Sequence, residues 1–502
     1  MSLANTGTMR FQLPTRLSAD ELQELELTCV AGGQDNMPFP AELSFQPGEM
    51  AVVRSQEESG NVLVPWNVEG AGQVMARTAS LMERDRPYQL ALELVRGKLN
   101  QVRGQASDWG MGGLESTPEL DALIRQATRG FGRVSTLDAV EPDSAAAERV
   151  LGDCYRAAEH LVATYTNQVF RLRHERQPRL DTLLLCRLGL TPPAEAAAAE
   201  LKRAFNAVMI PFPWNRIEPS EGEFCWDEID RLLHWAQGCG VPVLGGPLVD
   251  FSGPSLPDWL WQHELDSSSL ASALCCFADA ALRRYRGRIP VWQLASACNY
   301  SQVLGRSDDE LLWLTMRLFE CAHHVDADLQ FIVSVAQPWG EYLATQNDCN
   351  SPFLFVDNLL RSGMRPASLD LEVVMGCGPR GSYCRDTLEF SRLIDLYSML
   401  GVPLQITLGY PSQPGPDPLA DPDMRLSAGH WRGGFTPEVQ AEWAADFATL
   451  ALCKPSVQAV QWVHWSDAEP HLFPHAGLVD AQGNIKPALA PLARLRQQQL
   501  RV

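Results

Sequence analysis

The 502-residue chain has no apolar run of about 18 residues, so nothing in it reads as a transmembrane helix. It is poor in positive charge. Against 61 Asp and Glu stand 41 Lys and Arg, a formal net charge of −20 at pH 7, and a chain that acidic repels phosphate backbones. Its opening stretch, MSLANTGTMRFQLP, lacks a charged head followed by an apolar core and is not a secretory signal as it stands. There is no P-loop and no Gly-x-Ser-x-Gly elbow, and Gly110-Met-Gly-Gly113 lacks the strand–helix setting of a nucleotide site. The 13 cysteines are odd in number and have no repeating spacing. Cys377-Gly-Pro-Arg-Gly-Ser-Tyr-Cys384 is not a C-x₂-C pair, and the set fits free thiols in a reducing cytoplasm. His323-His324 falls in a helical stretch, where adjacent side chains diverge and cannot chelate together. These absences predict a cytoplasmic protein with no membrane or nucleic-acid partner, no metal and no cofactor. The oligomeric state is not legible.

What the chain does carry is a strand–helix rhythm. Short apolar runs recur at Thr182–Leu188, Ala207–Phe212, Pro242–Val249, Pro290–Ala297, Gln330–Ala336, Ser368–Met375, Pro403–Leu408 and Val457–His464. Most are continuous rather than alternating, as parallel strands covered on both faces are. Between them, Thr191-Pro-Pro opens an Ala-rich helix over Ala194–Phe205, and Ser307-Asp-Asp-Glu310 has the form of a capping box. Gly240, Gly363 and Gly401 stand where helices stop before the third, sixth and seventh runs. Eight such units can close a sheet and so remove its edges. The predicted fold class is α/β: a (β/α)8 TIM barrel over 181–502, preceded by a small β-rich domain over 1–85 and a helical connector over 86–180. Strand-like pieces of the first part are Leu25–Val30, Glu42–Phe45, Met50–Arg54 and Asn61–Val64. Helices are expected over 86–107, 117–130 and the amphipathic stretch Pro142–Arg176. The basic run that ends it, Arg171-Leu-Arg-His-Glu-Arg176, reads as a helix terminus complementing the dipole or as an anion patch.

Chemistry in such barrels sits at the C-terminal ends of the strands. There the chain reads Phe205-Asn-Ala-Val through Trp214-Asn-Arg-Ile-Glu-Pro-Ser-Glu-Gly-Glu-Phe224, then Trp226-Asp-Glu-Ile-Asp-Arg231 and Gly240-Val-Pro-Val-Leu-Gly245. It continues with Leu256-Pro-Asp-Trp-Leu260, Tyr285-Arg-Gly-Arg-Ile-Pro-Val-Trp292, Leu400-Gly-Val-Pro-Leu-Gln-Ile-Thr407 and Val460-Gln-Trp-Val-His-Trp-Ser-Asp467. In this order the barrel resembles the family 10 glycoside hydrolases, the xylanase type. The resemblance implies retaining hydrolysis of β-1,4-linked polysaccharide by two glutamates, with carboxyl groups about 5–5.5 Å apart. The family's acid/base ends a Trp-Asp-Val-Val-Asn-Glu pattern, where this chain has Trp292-Gln-Leu-Ala-Ser-Ala297. Its nucleophile lies in Ile-Thr-Glu-Leu-Asp, where this chain has Ile406-Thr-Leu-Gly-Tyr410. By this resemblance Ala297 and Leu408 occupy the two positions, and neither can donate a proton or attack an anomeric carbon. The sugar clamp departs too. Met209-Ile-Pro-Phe-Pro-Trp214 keeps only the Trp, and Gly245-Gly246 and Asp250-Phe251 stand at the family's Gly-His and Trp-His.

Carboxylates that could stand in are Asp250, Glu341 and Glu469, with Asp467 beside the last and Glu372 inside the sixth run. Alternatively Asp250 caps the next helix or pairs with an arginine. Trp214, Phe251, Trp339, Tyr410, Trp462 and Trp465 fall at or near strand ends, where rings stack on sugars or simply fill the barrel top. His464, His471 and His475 gather near the eighth run without a Glu-x-x-His frame, which suits sugar contacts or a proton relay better than a metal. Three readings follow. The barrel has lost the family's hydrolytic pair and either binds a carbohydrate or other polyol-like ligand in the cleft or serves as a scaffold with its N-terminal domain. Or it is a glycosidase with relocated acids. Or it is a structural or interaction protein with a vestigial cleft. Leu408 and Phe251 filling the groove would favour a scaffold.

Overall fold

A computed structural model describes residues 7–501 apart from 34, 55–58, 138–143, 254, 263–265, 301–303 and 347–348. Eight parallel staves form a closed barrel. They are Leu183–Arg187, Ala207–Ile210, the split third stave Val243–Gly245 and Val249–Asp250, then Val291–Ser296, Gln330–Val335, Ser368–Val374, Leu404–Gly409 and Val457–Trp462. Both pieces of the third stave pair with the fourth, and the first stave pairs with the second and the eighth, which closes the sheet. Each stave lies within its expected run, save for one residue at the ends of the third and seventh. The helix punctuation is also where the residues put it. Gly240 takes φ +66° after the helix Asp227–Cys239, and Ser307 and Glu310 cap one another reciprocally at the start of Asp308–Val325.

Alternation along the staves decides what the barrel encloses. Ser-Leu-Asp-Leu-Glu-Val-Val over Ser368–Val374 sends Leu369, Leu371 and Val373 into the helix-facing core and turns Asp370 and Glu372 toward the axis. A floor of Leu185, Ala207, Met209, Leu244, Ile332 and Ala459 is apolar. Above it the interior is polar. The Asp370 carboxylate accepts the Ser334 hydroxyl at 2.7 Å, the Thr407 hydroxyl at 2.8 Å and the Gln293 amide at 3.3 Å. Gln293 in turn accepts Arg187 at 3.1 Å.

The first part of the chain is β-rich, with a helical layer behind it. One sheet runs Glu42–Gln46, Glu49–Arg54, Gly7–Gln12, Tyr88–Gln89. The stretch expected as a strand from Leu25 instead begins with a short 3₁₀ turn, Leu25–Leu27, and only Cys29–Gly32 pairs. The helices are Leu90–Met111, Pro118–Leu137 and Ser144–Arg176; 142–143, expected to begin the last of them, lie outside the described residues. Among the described residues no helix is long and apolar enough to cross a membrane.

Gly97 shows how closely these layers meet. A Cβ there would fall 2.1 Å from the Arg77 carbonyl oxygen on the strand beneath, so only glycine lets the backbones touch. Gly97→Ala is expected to cost about 1–3 kcal/mol, because backbone must move to admit the methyl. A drop in the urea midpoint at unchanged slope checks it.

The N-terminal layers sit directly on the barrel's C-terminal loops. A second sheet has the order His430–Trp431, Gly72–Leu81, Gly60–Val68, Cys29–Gly32, Met37–Phe39, and its first strand belongs to the loop after the seventh stave. The Met75 amide donates to the Cys384 carbonyl at 2.8 Å, the Tyr383 hydroxyl to the Glu24 carboxylate, and the Ser351 hydroxyl to Asp35 at 2.8 Å. Behind, Arg173 donates to the Leu452 and Cys453 carbonyls at 2.6 and 3.1 Å, the last carbonyls of the helix Pro437–Cys453. That arginine of the basic run therefore complements a helix terminus, though not its own.

Candidate functional site

Across all eight staves the acidic residues are three: Asp250, Asp370 and Glu372. Two of them converge on one cation. The Arg380 guanidinium, from the loop after the sixth stave, donates through Nη1 to both Asp250 oxygens at 2.9 and 2.8 Å. Through Nε and Nη2 it donates to the two Glu372 oxygens at 2.7 and 2.8 Å. The Ser296 hydroxyl accepts from Nη2 at 2.9 Å, and the Ser252 hydroxyl also accepts from Nη1. Arg380 is 3% exposed and Glu372 2%, so this hub is a buried ion triad joining the third, fourth and sixth staves at the barrel mouth.

The electrostatics follow from that geometry. Burial alone would raise the Asp250 carboxyl, but the Arg380 charge and the Ser252 hydrogen bonds overcome it and hold Asp250 below its ordinary value. Arg380 is held firmly protonated: burial opposes its charge, and the two carboxylates more than compensate. Deeper in, burial raises Asp370 to about 6, against the pull of Ser334 and Thr407. A general acid must carry a proton at working pH and reach its substrate. Asp250 lacks the proton. Asp370 is 1% exposed and tied to three side chains.

The other candidates are dispersed. Glu341 accepts the Tyr383 amide at 3.0 Å and the Arg385 guanidinium at 2.5 Å, which ties the loop after the fifth stave to that after the sixth. Glu469 accepts the Leu190 and Thr191 amides at 2.7 and 3.2 Å, fixing the loop after the first stave. Neither is bonded to Arg380 among the described residues. Ala297 is fully buried in the left-handed region at φ +52°. Leu408 is fully buried too, and the pairing of Thr407 with Glu372 places Thr407, not Leu408, on the inner face.

All six candidate aromatics pack inside the protein. Trp214 stacks on Phe277 at 4.9 Å and donates to Glu218 at 2.6 Å. Phe251 is fully buried. Arg385 lies 4.6 Å over the Trp339 ring. Tyr410 stacks on Trp443 at 5.4 Å, and its hydroxyl takes the Trp431 amide at 2.9 Å. Trp462 donates to the Ala476 carbonyl at 2.8 Å, and Trp465 is buried in the main core.

A second polar cluster lies past the eighth stave. His464 Nε2 meets Asp467 at 2.9 Å, the His464 and His471 rings stack at 4.5 Å, and His471 Nε2 meets Asp417 at 3.0 Å. His475 meets the same Asp417 through Nδ1 at 3.2 Å. The donor atoms of His464, Asp467 and His471 lie within 4.8 Å of one another, close enough to meet one ion. Asp467, however, already binds the Lys486 ammonium and the Gly477 amide, and an ammonium at the same carboxylate repels a second cation. The donors therefore suit a hydrogen-bond network. Burial lowers His464 to about 4, so the neutral ring donates to a carboxylate that its partners hold well below its ordinary value.

Arg380 is the residue that reading the sequence missed. It sits in Cys377-Gly-Pro-Arg-Gly-Ser-Tyr-Cys384, which drew notice for its cysteines. The signal was in the sixth run: two acids two residues apart face one buried side, and buried carboxylates require a cation or a proton.

Comparison with known proteins gives a consistent direction. Residues 191–298 match glycosyl hydrolase family 10. Endo-1,4-beta-xylanase C of Paenibacillus barcinonensis is 20% identical over 240 residues, 43% of this chain and 21% of that protein. Endo-1,4-beta-xylanase B of Humicola insolens is 28% identical over 83 residues, 16% of this chain and 23% of that protein. The chain thus spans about a fifth of the length of the curated relatives it matches. Among solved structures, native xylanase 10B from Thermotoga maritima superposes with a TM-score of 0.47 at 16% identity, covering 64% of this chain and 97% of that one.

Proposed function

We propose that this barrel, of the glycosyl hydrolase family 10 type, works as a non-hydrolytic scaffold whose mouth has become structural core. One observation carries the reading. The guanidinium of Arg380 stands among the mouth-facing acids and is bonded to both of them, so the charges a glycosidase would turn on substrate are spent on one another. The loops after the fifth, sixth and seventh staves, which would frame a groove, instead receive the N-terminal sheets through Ser351, Cys384 and His430–Trp431. The rings that could stack on a sugar are buried in protein. A carbohydrate is the ligand class that the resemblance suggests, but here a sugar would have to displace Arg380 and its bonds, with the desolvation penalty of the two freed carboxylates. On this reading the barrel is a rigid base for the N-terminal layers.

The test is a panel of aryl glycosides and xylooligosaccharides, assayed for turnover and by titration calorimetry. Turnover at the buffer rate and no heat of binding are expected. Hydrolysis that disappears in Asp250→Asn or Glu372→Gln would instead assign the relocated-acid glycosidase. Binding of xylooligosaccharide without turnover would assign a sugar-binding cleft.

A further inference from the structure

Two of the free cysteines stand together on the barrel's outer ring. Cys275 is on the helix Ser267–Arg284 and Cys321 on the neighbouring helix Asp308–Val325. The contacts between them are reciprocal. Cys275 Sγ reaches the Arg317 carbonyl at 3.7 Å, one turn before Cys321, and Cys321 Sγ reaches the Cys275 carbonyl at 3.6 Å. Both residues are partly exposed, unlike Cys29, Cys154, Cys186, Cys298, Cys377, Cys384 and Cys453, which are sealed in the core.

We propose that Cys275 and Cys321 form a reversible thiol–disulfide site, in which Cys321 is the attacking thiolate and Cys275 the resolving thiol, with a small-molecule disulfide as the oxidant. The chemistry balances. The Cys321 thiolate attacks one sulfur of the small disulfide, the S–S bond breaks, and one thiolate leaves. Cys275 then loses its proton to water and attacks the Cys321 sulfur of the mixed disulfide, which expels the second small thiolate. Two protein thiols are oxidised, and one disulfide is reduced to two thiols.

The surroundings suit those roles. The adjacent Cys275 thiol, aided by the Arg317 and Arg283 charges and opposed by burial and Asp279, lowers Cys321 to about 7. The neighbouring Cys321, with burial, raises Cys275 and keeps it protonated until the mixed disulfide has formed. A thiol poised near ambient pH combines a large thiolate fraction with retained nucleophilicity. Exposed Cys276 is adjacent to Cys275 and is the natural competitor.

The experiment uses the full chain and oxidised glutathione, followed by acid quench, alkylation and peptide mapping. One cross-linked peptide joining Cys275 to Cys321 is expected, cleaved again by dithiothreitol. With iodoacetamide at pH 7, Cys321 should label about tenfold faster than exposed Cys225, reflecting its thiolate fraction. Cys275→Ser should trap glutathione stably on Cys321, and Cys321→Ser should abolish the cross-link while Cys225 labels as before. A cross-link through Cys276, glutathione retained on Cys321 in the unsubstituted chain, or equal labelling of Cys321 and Cys225 overturns the proposal.

Discussion

Arg380→Met is expected to destabilise the protein by about 3–5 kcal/mol at pH 7, because it leaves two buried carboxylates without the one cation bonded to both. The side chain removed is 3% exposed, and Asp250 and Glu372 each lose a paired hydrogen bond to it. Methionine fills most of the volume, so cavity formation adds little and the loss is electrostatic. That attribution can be separated by experiment. As pH falls the orphaned carboxyls can take protons, so much of the loss should return by about pH 5. Combining Arg380→Met with Asp250→Asn and Glu372→Gln should also recover most of it, since replacing a whole buried ion cluster by neutral groups is often close to neutral in stability. Arg380→Lys should fall between, because an ammonium cannot make two bidentate pairs at once. Urea unfolding of the three variants and the unsubstituted chain at pH 7 and pH 5 measures this. A single variant within 1 kcal/mol of the unsubstituted chain would sink the idea that the mouth is held by this hub.

The barrel was legible because its staves are buried on both faces. Runs such as Val291–Ser296 and Gln330–Val335 need no partner to declare themselves, since the apolar run, glycine stops and capping boxes are local features. The candidate site was legible only in part. Asp250 stood out by position, and pairing with an arginine was one reading of it; which arginine depends on a loop reaching back from 130 residues away. Glu372 was hidden by its run. A carboxylate inside an apolar strand reads as misplaced until the alternation with Asp370 shows one polar face turned inward. The aromatics misled for a related reason. A ring at a strand end is equally apolar whether a sugar or Phe277 covers it, and the covering residue lies far away in the chain, 63 residues on for Trp214 and 33 for Tyr410. Leu25–Leu27 fell outside its expected strand because Leu-Glu-Leu buries only Leu25, and one core residue is met as well by a tight helical turn as by a strand.

Two buried groups should give the stability of this protein opposed slopes between about pH 4 and pH 6, which single substitutions expose. His464 is lowered from 6.5 to about 4 by burial. Between those values the unfolded chain binds the proton and the folded one does not, so this ring makes stability rise with pH. Asp370 is raised from 3.8 to about 6, also by burial. Between those values the folded chain binds the proton, so this carboxyl makes stability fall with pH. Each shift exceeds two units, and each contributes about 3 kcal/mol across its window. In the intact chain they offset. His464→Gln keeps a donor toward Asp467 but removes the rising component, so the variant should lose about 3 kcal/mol as pH climbs from 4 to 6. Asp370→Asn removes the falling component, so that variant should gain a similar amount over the same range. Urea unfolding at half-unit pH steps measures both. Below pH 4 all three proteins should weaken together, because Glu389, lowered to about 2 by Arg77 and Lys98 against its burial, is then protonated in the unfolded chain first. Variant slopes of the same sign would mean that at least one of these groups is not buried in the charge state its neighbours impose.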